Sequence, residues 1–528
     1  MVAFGLAFLL ASCDRGGGRG TKKPSASFIY SPVSPVASQA VQFTDTSTGS
    51  STSWQWNFGD GITSVVGNPS HIYTTAASYT VTLTVGNSTG SDNASQTVVV
   101  PPGAKPTASF PLKVGPTGRY LVDQDDTPFL MIGDSPQSLM VNVSLSDADF
   151  LLANRASYGF NAVWINLLCT EYTYGRADAS TIDGLKPFNT PSDLSTPNEA
   201  YFAQCDQIIR SAGSHGITVI LDPIETGGFL GMMRANGVNK CKDYGRYVGN
   251  RYKSFDNIIW MSGNDFQSWR DAGDDDLVKA VATGIKEVDQ RHIHTLELDY
   301  YVSSSLDNAN WTDVVNLNAA YTYFPTYIEV LKDYNRTPVV PAFLIEADYE
   351  LQYGADHERL RRQEYWSFLA GACGYVYGIR YVVRMLDGWK DNLVTTGSTQ
   401  LGYCRDLFKS RPWHSLVPDQ KHTLVTAGYG AFSSRGDPHE SISKNNYVTA
   451  ALTNDGKLAL VYVPSSRKIT VDLTKLTGSV TARWYDPTAG TYQAIAGSPF
   501  SNTGSHAFRT PGTHSDGASD WVLVLEKQ

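Results

Sequence analysis

The chain has 528 residues, which at ~150 residues per domain suggests three or four domains. Hydrophobic residues make up 41% and charged residues 18%, so the chain can bury sizeable cores and is not mainly disordered. The 42 basic and 51 acidic residues give a net charge of −9 without a basic stripe, which argues against a nucleic-acid partner.

The N-terminus has the pattern of a targeting segment. Residues 1–13 are mostly apolar, too few to span a bilayer as a mature helix, and end in Leu10-Ala11-Ser12-Cys13. This ending resembles a bacterial lipobox, so Cys13 is the predicted lipidation site; a plain secretory signal with a chance Cys is the alternative. Residues 14–24 form the expected flexible tether. The predicted location is the bacterial cell surface or periplasm, lipid-anchored or secreted, with no membrane contact beyond the anchor.

The remaining cysteines are widely spaced and contain no CxxC pair, which excludes a zinc ribbon or a disulfide-dense scaffold. One disulfide would suit an exported protein, but the sequence does not choose the pair. The five residues are Cys169, Cys205, Cys241, Cys373 and Cys404.

Residues 25–101 have the composition and spacing of a small all-β domain. The run from Tyr79 to Val85 alternates apolar and polar residues, as half-buried strands do. The segment Trp54-Gln55-Trp56-Asn57-Phe58-Gly59-Asp60-Gly61 combines alternating aromatics with a tight turn. Together these features resemble a PKD domain, an immunoglobulin-like β-sandwich of exported bacterial proteins. The resemblance implies a spacer or a module that binds carbohydrate or protein, and we expect the spacer.

Residues 107–430 alternate apolar strand patterns with amphipathic helix patterns. Such alternation predicts a (β/α)8 barrel or a doubly wound sheet. No GxGxxG or Walker loop follows the first strand, which disfavours a nucleotide-binding sheet. Five of the apolar runs end in polar residues, namely Asp134, Asn166, Asp222, Asn264-Asp265 and Glu346.

These strand ends indicate hydrolytic chemistry, because the carboxyl ends of barrel strands meet at one mouth. Glycoside hydrolysis needs one carboxyl group to protonate the leaving oxygen and a second to attack or to activate water. A strand-end Asp taken singly, such as Asp134 or Asp222, is equally well explained as a helix cap. Asp265 together with Glu346 is harder to explain in that way.

The central unit is similar to the apiosidase-like (β/α)8 glycoside hydrolases of family 140 and relatives. The resemblance rests on Pro128–Asp134, Gly159–Asn161, Asn257–Trp260, Pro341–Glu346, Ser410–Trp413 and Pro418–Asp419. It implies that Asp265 is the acid/base and Glu346 the nucleophile, and the mechanism we expect is a retaining one. It also implies a plant cell-wall-type substrate, with apiose or a similar pentofuranose as the sugar. Asp265 is then expected to have the raised pKa, through the charge of Glu346 and aromatic walls such as Trp260.

This sequence departs from the family pattern at two places. Asn264 replaces the usual Gly before the acid, and His294-Thr295-Leu296-Glu297 stands on strand five, where the family has a His-containing loop. His292 and His294 lie together without a third ligand at metal spacing, so neither a metal site nor a cofactor is expected.

Further rim residues are candidates for holding the sugar. Aromatic rings can stack on sugar faces, and Asn or Arg can hold hydroxyls or a uronate carboxylate. For each residue alone, core packing or loop anchoring is the alternative. The predicted substrate-binding residues are Asp134, Trp164, Asn166, Asp222, Asn264, Tyr321, Tyr323, Tyr349, Arg384 and Trp389, with Tyr172 as a further candidate.

Strand patterns return in residues 431–528, as in the run from Leu458 to Val463 and the hairpin around Trp484–Gly490. They resemble the small β-sandwich that follows the barrel in the same family and is sometimes labelled collagen-binding. The alternative, which we favour, is a lid that stabilises the side of the barrel.

Two functions from different classes follow. The first is a surface glycoside hydrolase acting on a polysaccharide or oligosaccharide. The second is a lipid-anchored protein that binds a glycan or collagen through its sandwiches, with an inert barrel. An inert barrel would be expected to lose a rim carboxylate, so the presence of both Asp265 and Glu346 favours the enzyme.

Overall fold

A computed structural model describes residues 22–31, 35, 40–73, 77–100, 108–268, 272–433 and 436–528. The predicted lipidation site at Cys13 and the linker at residues 101–106 lie outside these residues. Contacts divide the chain into two compact units, residues 1–105 and residues 106–528. In the described part of the chain, helices long and apolar enough to cross a membrane are absent.

The N-terminal unit is a two-sheet β-sandwich. One sheet has the order β1-β2-β5 and the other β4-β3-β6-β7. Alternate residues of the long sixth strand are buried, so that Val81, Leu83 and Val85 pack against Trp56 between the sheets. The strands are β1 (Phe28–Ser31), β2 (Ala40–Asp45), β3 (Ser53–Asn57), β4 (Thr63–Ser64), β5 (Ser70–Ile72), β6 (Ala77–Asn87) and β7 (Gly90–Val100).

The second unit begins with a small antiparallel sheet and continues as a barrel. The small sheet consists of β8 (Lys113–Val114), β9 (Leu121–Val122) and β10 (Pro128–Phe129). The barrel sheet consists of β11 (Met131–Asp134), β12 (Ala162–Asn166), β13 (Thr218–Asp222), β14 (Ile258–Phe266), β15 (His294–Leu298), β16 (Val302–Ser304), β17 (Asn318–Thr322), β18 (Ala342–Glu346) and β19 (Gly374–Tyr377). Its order is β15-β14-β13-β12-β11-β19-β18-β17-β16, parallel except for the β16–β17 pair. The predicted barrel is thereby confirmed.

The barrel closes between β15 and β17 without a regular ladder. The Ser305 hydroxyl donates to the Leu296 carbonyl of β15 at 2.5 Å and accepts from the Ala319 N–H of β17 at 2.7 Å. At the other end of this seam, the Asn316 and Leu317 amides donate to the His294 carbonyl. One hydroxyl thus replaces part of a missing strand-to-strand ladder.

Helices cover the outside of the barrel. They are α1 (Leu139–Asn142), α2 (Leu145–Ser157), α3 (Glu199–Ser214), α4 (Thr226–Tyr252), α5 (Ala272–Val288), α6 (Tyr327–Tyr334), α7 (His357–Leu369), α8 (Arg380–Val383) and α9 (Thr396–Lys409). The five cysteines after residue 107 are all buried free thiols, so the described part of the chain contains no disulfide.

The C-terminal part is a β-sandwich with sheet orders β20-β22-β23-β28-β25-β26 and β21-β24-β27. It recruits two strands that precede residue 431. Its elements are β20 (Leu416–Pro418), β21 (Val425–Ala427), α10 (Glu440–Lys444), β22 (Thr449–Thr453), β23 (Leu458–Val463), β24 (Lys468–Asp472), β25 (Val480–Asp486), β26 (Thr491–Ala494), β27 (Ser505–Arg509) and β28 (Trp521–Lys527).

The sandwich packs against helix α7 of the barrel. The Tyr365 ring of α7 stacks on Tyr462 of β23 at 5.0 Å between ring centroids. Arg361 of α7, fully buried, forms an ion pair with Asp520 at 2.8 Å. The barrel and the sandwich therefore share one hydrophobic core.

Candidate active site

Three carboxyl groups from three barrel strands line one cavity at the mouth of the barrel. Asp265 lies near the end of β14, Glu297 lies on β15 and Glu346 ends β18. The cavity has a volume of about 220 Å³, and tyrosines form much of its wall. This clustering follows from the parallel sheet, which brings the carboxyl ends of its strands to one rim.

Three tyrosine hydroxyls surround Glu346, which is 7% exposed. Tyr321 and Tyr323 donate to Oε1 at 3.0 and 2.7 Å, and Tyr349 donates to Oε2. Burial and the charge of Asp265 together raise the pKa of Glu346 to about 7, and the hydrogen bonds from the tyrosines oppose both effects. The hydroxyls orient the carboxylate and favour its ionised form.

Asp265 is half-buried beside Tyr172, whose hydroxyl donates to Oδ2 at 2.6 Å. Burial raises the pKa of Asp265 above its ordinary value, and the charge of Asp299 adds to this, while hydrogen bonds from Tyr172 and Tyr321 lower it. The direction agrees with the expectation for the acid, but the neighbouring charge that raises the pKa is that of Asp299 and not, as predicted, that of Glu346.

The prediction that Trp260 forms an aromatic wall beside Asp265 was wrong. The ring of Trp260 belongs to the layer between the barrel and the helices, and its Nε1–H donates to Asp289 at 2.8 Å. The reason is the two-residue alternation of β14, which sends Ile259 and Met261 into the barrel and Trp260 outward. Trp164 and Tyr172 are among the aromatic residues that do line the cavity.

Both carboxylates of the predicted pair lie where strand pairing is irregular. Between β14 and β15, Ser262 pairs with Leu296 and Phe266 with Leu298, so β14 has extra residues in a bulge that contains Asp265. Between β17 and β18, the register shifts just before Glu346. Bulges interrupt the ladder and redirect side chains, which is why they recur beside active sites.

The bulge in β14 has an unusual backbone. Gly263, Asn264 and Asp265 have φ of 114°, 71° and 54°. A Cβ on Gly263 would lie 2.0 Å from the Glu297 carbonyl oxygen, so only glycine allows β14 and β15 to approach here. Asn tolerates the left-handed region better than most residues, which explains why this backbone conformation suits an Asn at position 264.

Glu297 is the main residue that the sequence analysis did not assign to the site. Its Oε2 accepts the Asp265 backbone N–H at 2.9 Å, and its Oε1 has no partner among the described residues. Burial raises the pKa of Glu297 well above its ordinary value, and the charges of Asp265, Glu346 and Asp222 add to the effect. These effects favour the uncharged form of the Glu297 side chain. The position of Glu297 near the end of the fifth predicted strand was the feature of the sequence that could have assigned it to the site.

The structure brings part of the predicted substrate-binding set to the cavity. Trp164, Tyr172, Asn264, Tyr323 and Tyr349 line it, and Tyr321 reaches it through its bond to Glu346. Tyr174, Gln137, Gln352 and Tyr353 line it as well, although the sequence analysis did not select them. They lie on loops, where no strand pattern marks a position at the rim.

Apart from Tyr321, five predicted residues are not among the described residues that line the cavity. Asp134 is fully buried against Arg155, with 2.6 Å between Oδ2 and Nε. Asn166 accepts the Trp164 indole N–H at 3.0 Å, and Asp222 accepts the Ile224 amide at 3.1 Å. The guanidinium of Arg384 lies 4.4 Å from the centre of the Tyr174 ring, next to the cavity. Trp389 packs on Phe150 in the helical layer.

Comparison with known protein families matches three successive parts of the chain. Residues 116–415, more than half of the chain, match the family model described as apiosidase-like, catalytic domain. The chain belongs to the apiosidase-like family. In this apiosidase-like protein, residues 23–101 match a PKD domain and residues 439–526 match a collagen-binding-type domain of a collagenase.

Solved structures share the fold of this apiosidase-like protein. A glycoside hydrolase has a TM-score of 0.69 at 22% identity, covering 80% of this chain and 97% of that chain. A family 5 glycoside hydrolase from Bacteroides vulgatus has a TM-score of 0.68 at 22% identity, covering 80% and 95%. With the family match, these likenesses identify the central domain as a glycosidase.

The curated relatives match over short stretches. Collagenase ColA of Bacillus cereus is 42% identical over 72 residues, and collagenase ColQ1 of the same species is 28% identical over 174 residues. These stretches cover 13% and 31% of the apiosidase-like chain, which spans only 8% and 18% of the two collagenases.

Proposed function

We propose that this protein is a retaining glycosidase in which Glu346 is the nucleophile and Asp265 is the acid/base. The observation that carries the proposal is that two carboxyl groups line one cavity and accept different sets of hydrogen bonds. Glu346 accepts three tyrosine hydroxyls, whereas Asp265 is stabilised by two, Tyr172 at 2.6 Å and Tyr321, which it shares with Glu346. More donors stabilise the charged form more, so when the pair holds one proton, that proton lies on Asp265.

The geometry supports a two-step reaction. In the first step, Asp265 protonates the glycosidic oxygen while a Glu346 oxygen attacks the anomeric carbon, which breaks the bond to the leaving group and forms a glycosyl ester. In the second step, the Asp265 carboxylate takes a proton from water, which attacks the same carbon and releases Glu346. Tyr321 and Tyr323 hold the attacking carboxylate in place throughout.

The stereochemical outcome is testable directly. Retention requires carboxyl groups ~5–5.5 Å apart, and inversion ~6.5–9.5 Å. Proton NMR of the sugar released in the first minutes of reaction distinguishes the two anomers. Initial release of the inverted anomer would contradict Glu346 as a nucleophile.

The substrate we propose is a plant cell-wall-type glycan, with apiose or a similar pentofuranose as the released sugar. Family membership supports the class of substrate. The small cavity, about 220 Å³ against the ~300–1,000 Å³ of common ligand pockets, suits a single sugar unit. A screen of pectic and arabinose-containing glycans for released monosaccharide tests this proposal, and release of long oligosaccharides alone would contradict it.

Variants of the two carboxyls test their roles. Glu346→Gln should abolish turnover of every substrate, because no glycosyl ester can form. Asp265→Asn should slow substrates with poor leaving groups ~10²–10⁴-fold, and activated aryl glycosides far less, because their leaving group needs little protonation. Azide should partly rescue Asp265→Asn by attacking the intermediate. Equal slowing of both substrate types would contradict Asp265 as the acid.

We also propose a lipid anchor at Cys13 that holds the enzyme at the bacterial surface, with the PKD domain as a spacer. The sequence Leu10-Ala11-Ser12-Cys13 supports this. A Cys13→Ser variant should move from the membrane fraction to the soluble fraction, whereas membrane retention would contradict the anchor. The alternative of a purely binding protein loses support because both carboxyls line the cavity.

A further inference from the structure

A short segment of the C-terminal sandwich reaches the mouth of the barrel. Residues 436–445, here called the connecting segment, lie between β21 and β22 and contain helix α10. The His439 backbone N–H donates to the Tyr323 carbonyl at 2.7 Å. Its imidazole packs between two cavity-lining rings, with ring centroids 4.6 Å from Tyr323 and 4.5 Å from Tyr353.

The backbone of His439 is strained. Its φ of 63° and ψ of −61° are those of a tight γ-turn of the rare hand, and the Glu440 amide closes the turn on the Pro438 carbonyl at 2.7 Å. A non-glycine residue keeps such a conformation only where its surroundings over-determine it. The contacts of the histidine side chain are therefore strong enough to hold the turn.

A buried acid anchors the imidazole. Nδ1 of His439 bonds to Oδ1 of Asp348, which is 1% exposed, and Oδ2 of Asp348 pairs with Arg359 of α7 at 3.0 Å. Arg359 also donates to the Tyr353 carbonyl at 3.1 Å and to the Ser443 hydroxyl at 3.2 Å. The same guanidinium thus holds the acid, the tyrosine loop and the connecting segment together.

We propose that His439 is a positioning residue of the active site, fixing the Tyr323 ring so that its hydroxyl stays on Glu346. Tyr323 is held at its carbonyl by the His439 amide, across its ring by the imidazole, and at its hydroxyl by Glu346 Oε1 at 2.7 Å. Loss of the imidazole frees the ring and weakens that last bond. The proposal rests on the proposed role of Glu346. It makes a residue outside the matched catalytic region, 116–415, part of the catalytic apparatus.

A double-mutant cycle on the full chain tests the proposal. His439→Ala and Tyr323→Phe should each lower kcat about tenfold, the worth of one hydrogen bond of ~1.4 kcal/mol. KM should change little, because the lost interaction acts at the reacting centre. The double variant should be no slower than Tyr323→Phe, because both changes remove one interaction. Additive losses, or unchanged kcat in either single variant, would overturn the proposal.

Two further variants separate positioning from folding. His439→Asn keeps a side-chain N–H that can bond to Asp348, so it should recover part of the lost kcat. Lys444→Ala removes an exposed ion pair with Glu440 in the same segment and should leave kcat unchanged. Thermal unfolding of all variants identifies any that fail to fold, and His439→Asn no better than His439→Ala would contradict the anchoring by Asp348.

Glu346→Gln is assayed in parallel. An active Glu346→Gln variant contradicts the proposed function itself. An inactive Glu346→Gln variant with an additive cycle contradicts only the positioning role of His439.

Discussion

Hydrogen bonds to Glu346 set the pH at which the enzyme works. The nucleophile must be ionised, and its pKa of about 7 reflects burial and the charge of Asp265, opposed by three tyrosine hydroxyls. In the active form Asp265 holds its proton and this charge is absent, so activity should fall at a pH below about 7, where Glu346 takes up a proton. The alkaline limb reports the acid, Asp265, losing its own proton.

Tyr349→Phe should move the acidic limb of kcat/KM to higher pH. Removing a donor destabilises the charged form of Glu346, so its pKa rises. The expected shift is about one pH unit or less, since a hydrogen bond is worth ~0.5–1.5 kcal/mol and one pKa unit corresponds to ~1.4 kcal/mol. The control is Tyr252→Phe, whose buried hydroxyl has no partner among the described residues. A shift to lower pH in Tyr349→Phe would contradict this account.

Single residues also show what a sequence can reveal about this site. Asp265 and Glu346 were found because both end strands in one pattern, and the shared rim brings them together. Asp134 and Asp222 end strands in the same pattern, yet their buried side chains are held at Arg155 and at the Ile224 amide. A polar residue at a strand end is thereby predicted to lie near the mouth of the barrel, but the pattern does not predict whether its side chain enters the cavity.

Among the elements, the bulge in β14 determines where Asp265 lies. Gly263 allows the close approach to β15, and the Glu297 carboxyl then accepts the Asp265 amide. No period-2 pattern predicts such an irregular turn, because alternation holds only while the ladder is regular. The bulge was visible in the sequence only as a glycine before Asn264.

Gly263→Ala should abolish most activity and lower the melting temperature. The new methyl group would lie 2.0 Å from the Glu297 carbonyl oxygen, and φ of 114° is unfavourable for alanine, so β14 must move and Asp265 with it. Misplacement by 1 Å can cost ~10²-fold in rate. Gly231→Ala, in α4 with open space around the position, is the matched control and should be neutral or slightly stabilising. Full activity in Gly263→Ala would contradict a role for the bulge.

On the scale of the whole molecule, the barrel and the sandwich form one unit, and the PKD domain is a separate one with its own core. The sequence indicated three β- or α/β-regions through the spacing of its apolar residues. It did not show that α7 would be covered by the sandwich, because the contacts between Arg361 and Asp520 join residues 159 positions apart.

Removing residues 1–106 should leave hydrolysis of small soluble substrates unchanged, because no side chain of the PKD core belongs to the core of the barrel. The measurement is kcat/KM of residues 107–528 against the full chain on an aryl glycoside. A matched truncation that removes the sandwich should inactivate the enzyme, since it uncovers α7. A large loss from the first truncation would mean that the PKD domain contributes to catalysis.

The buried Arg361–Asp520 pair also constrains the order of events during synthesis. Both side chains are 0% exposed in the folded chain, so the pair forms only when the sandwich covers helix α7. While a ribosome is still producing the sandwich, α7 is uncovered and Arg361 lacks Asp520, so the barrel lacks part of its final stability. Nascent barrels should therefore stay open to chaperones and proteases until residue 520 has emerged.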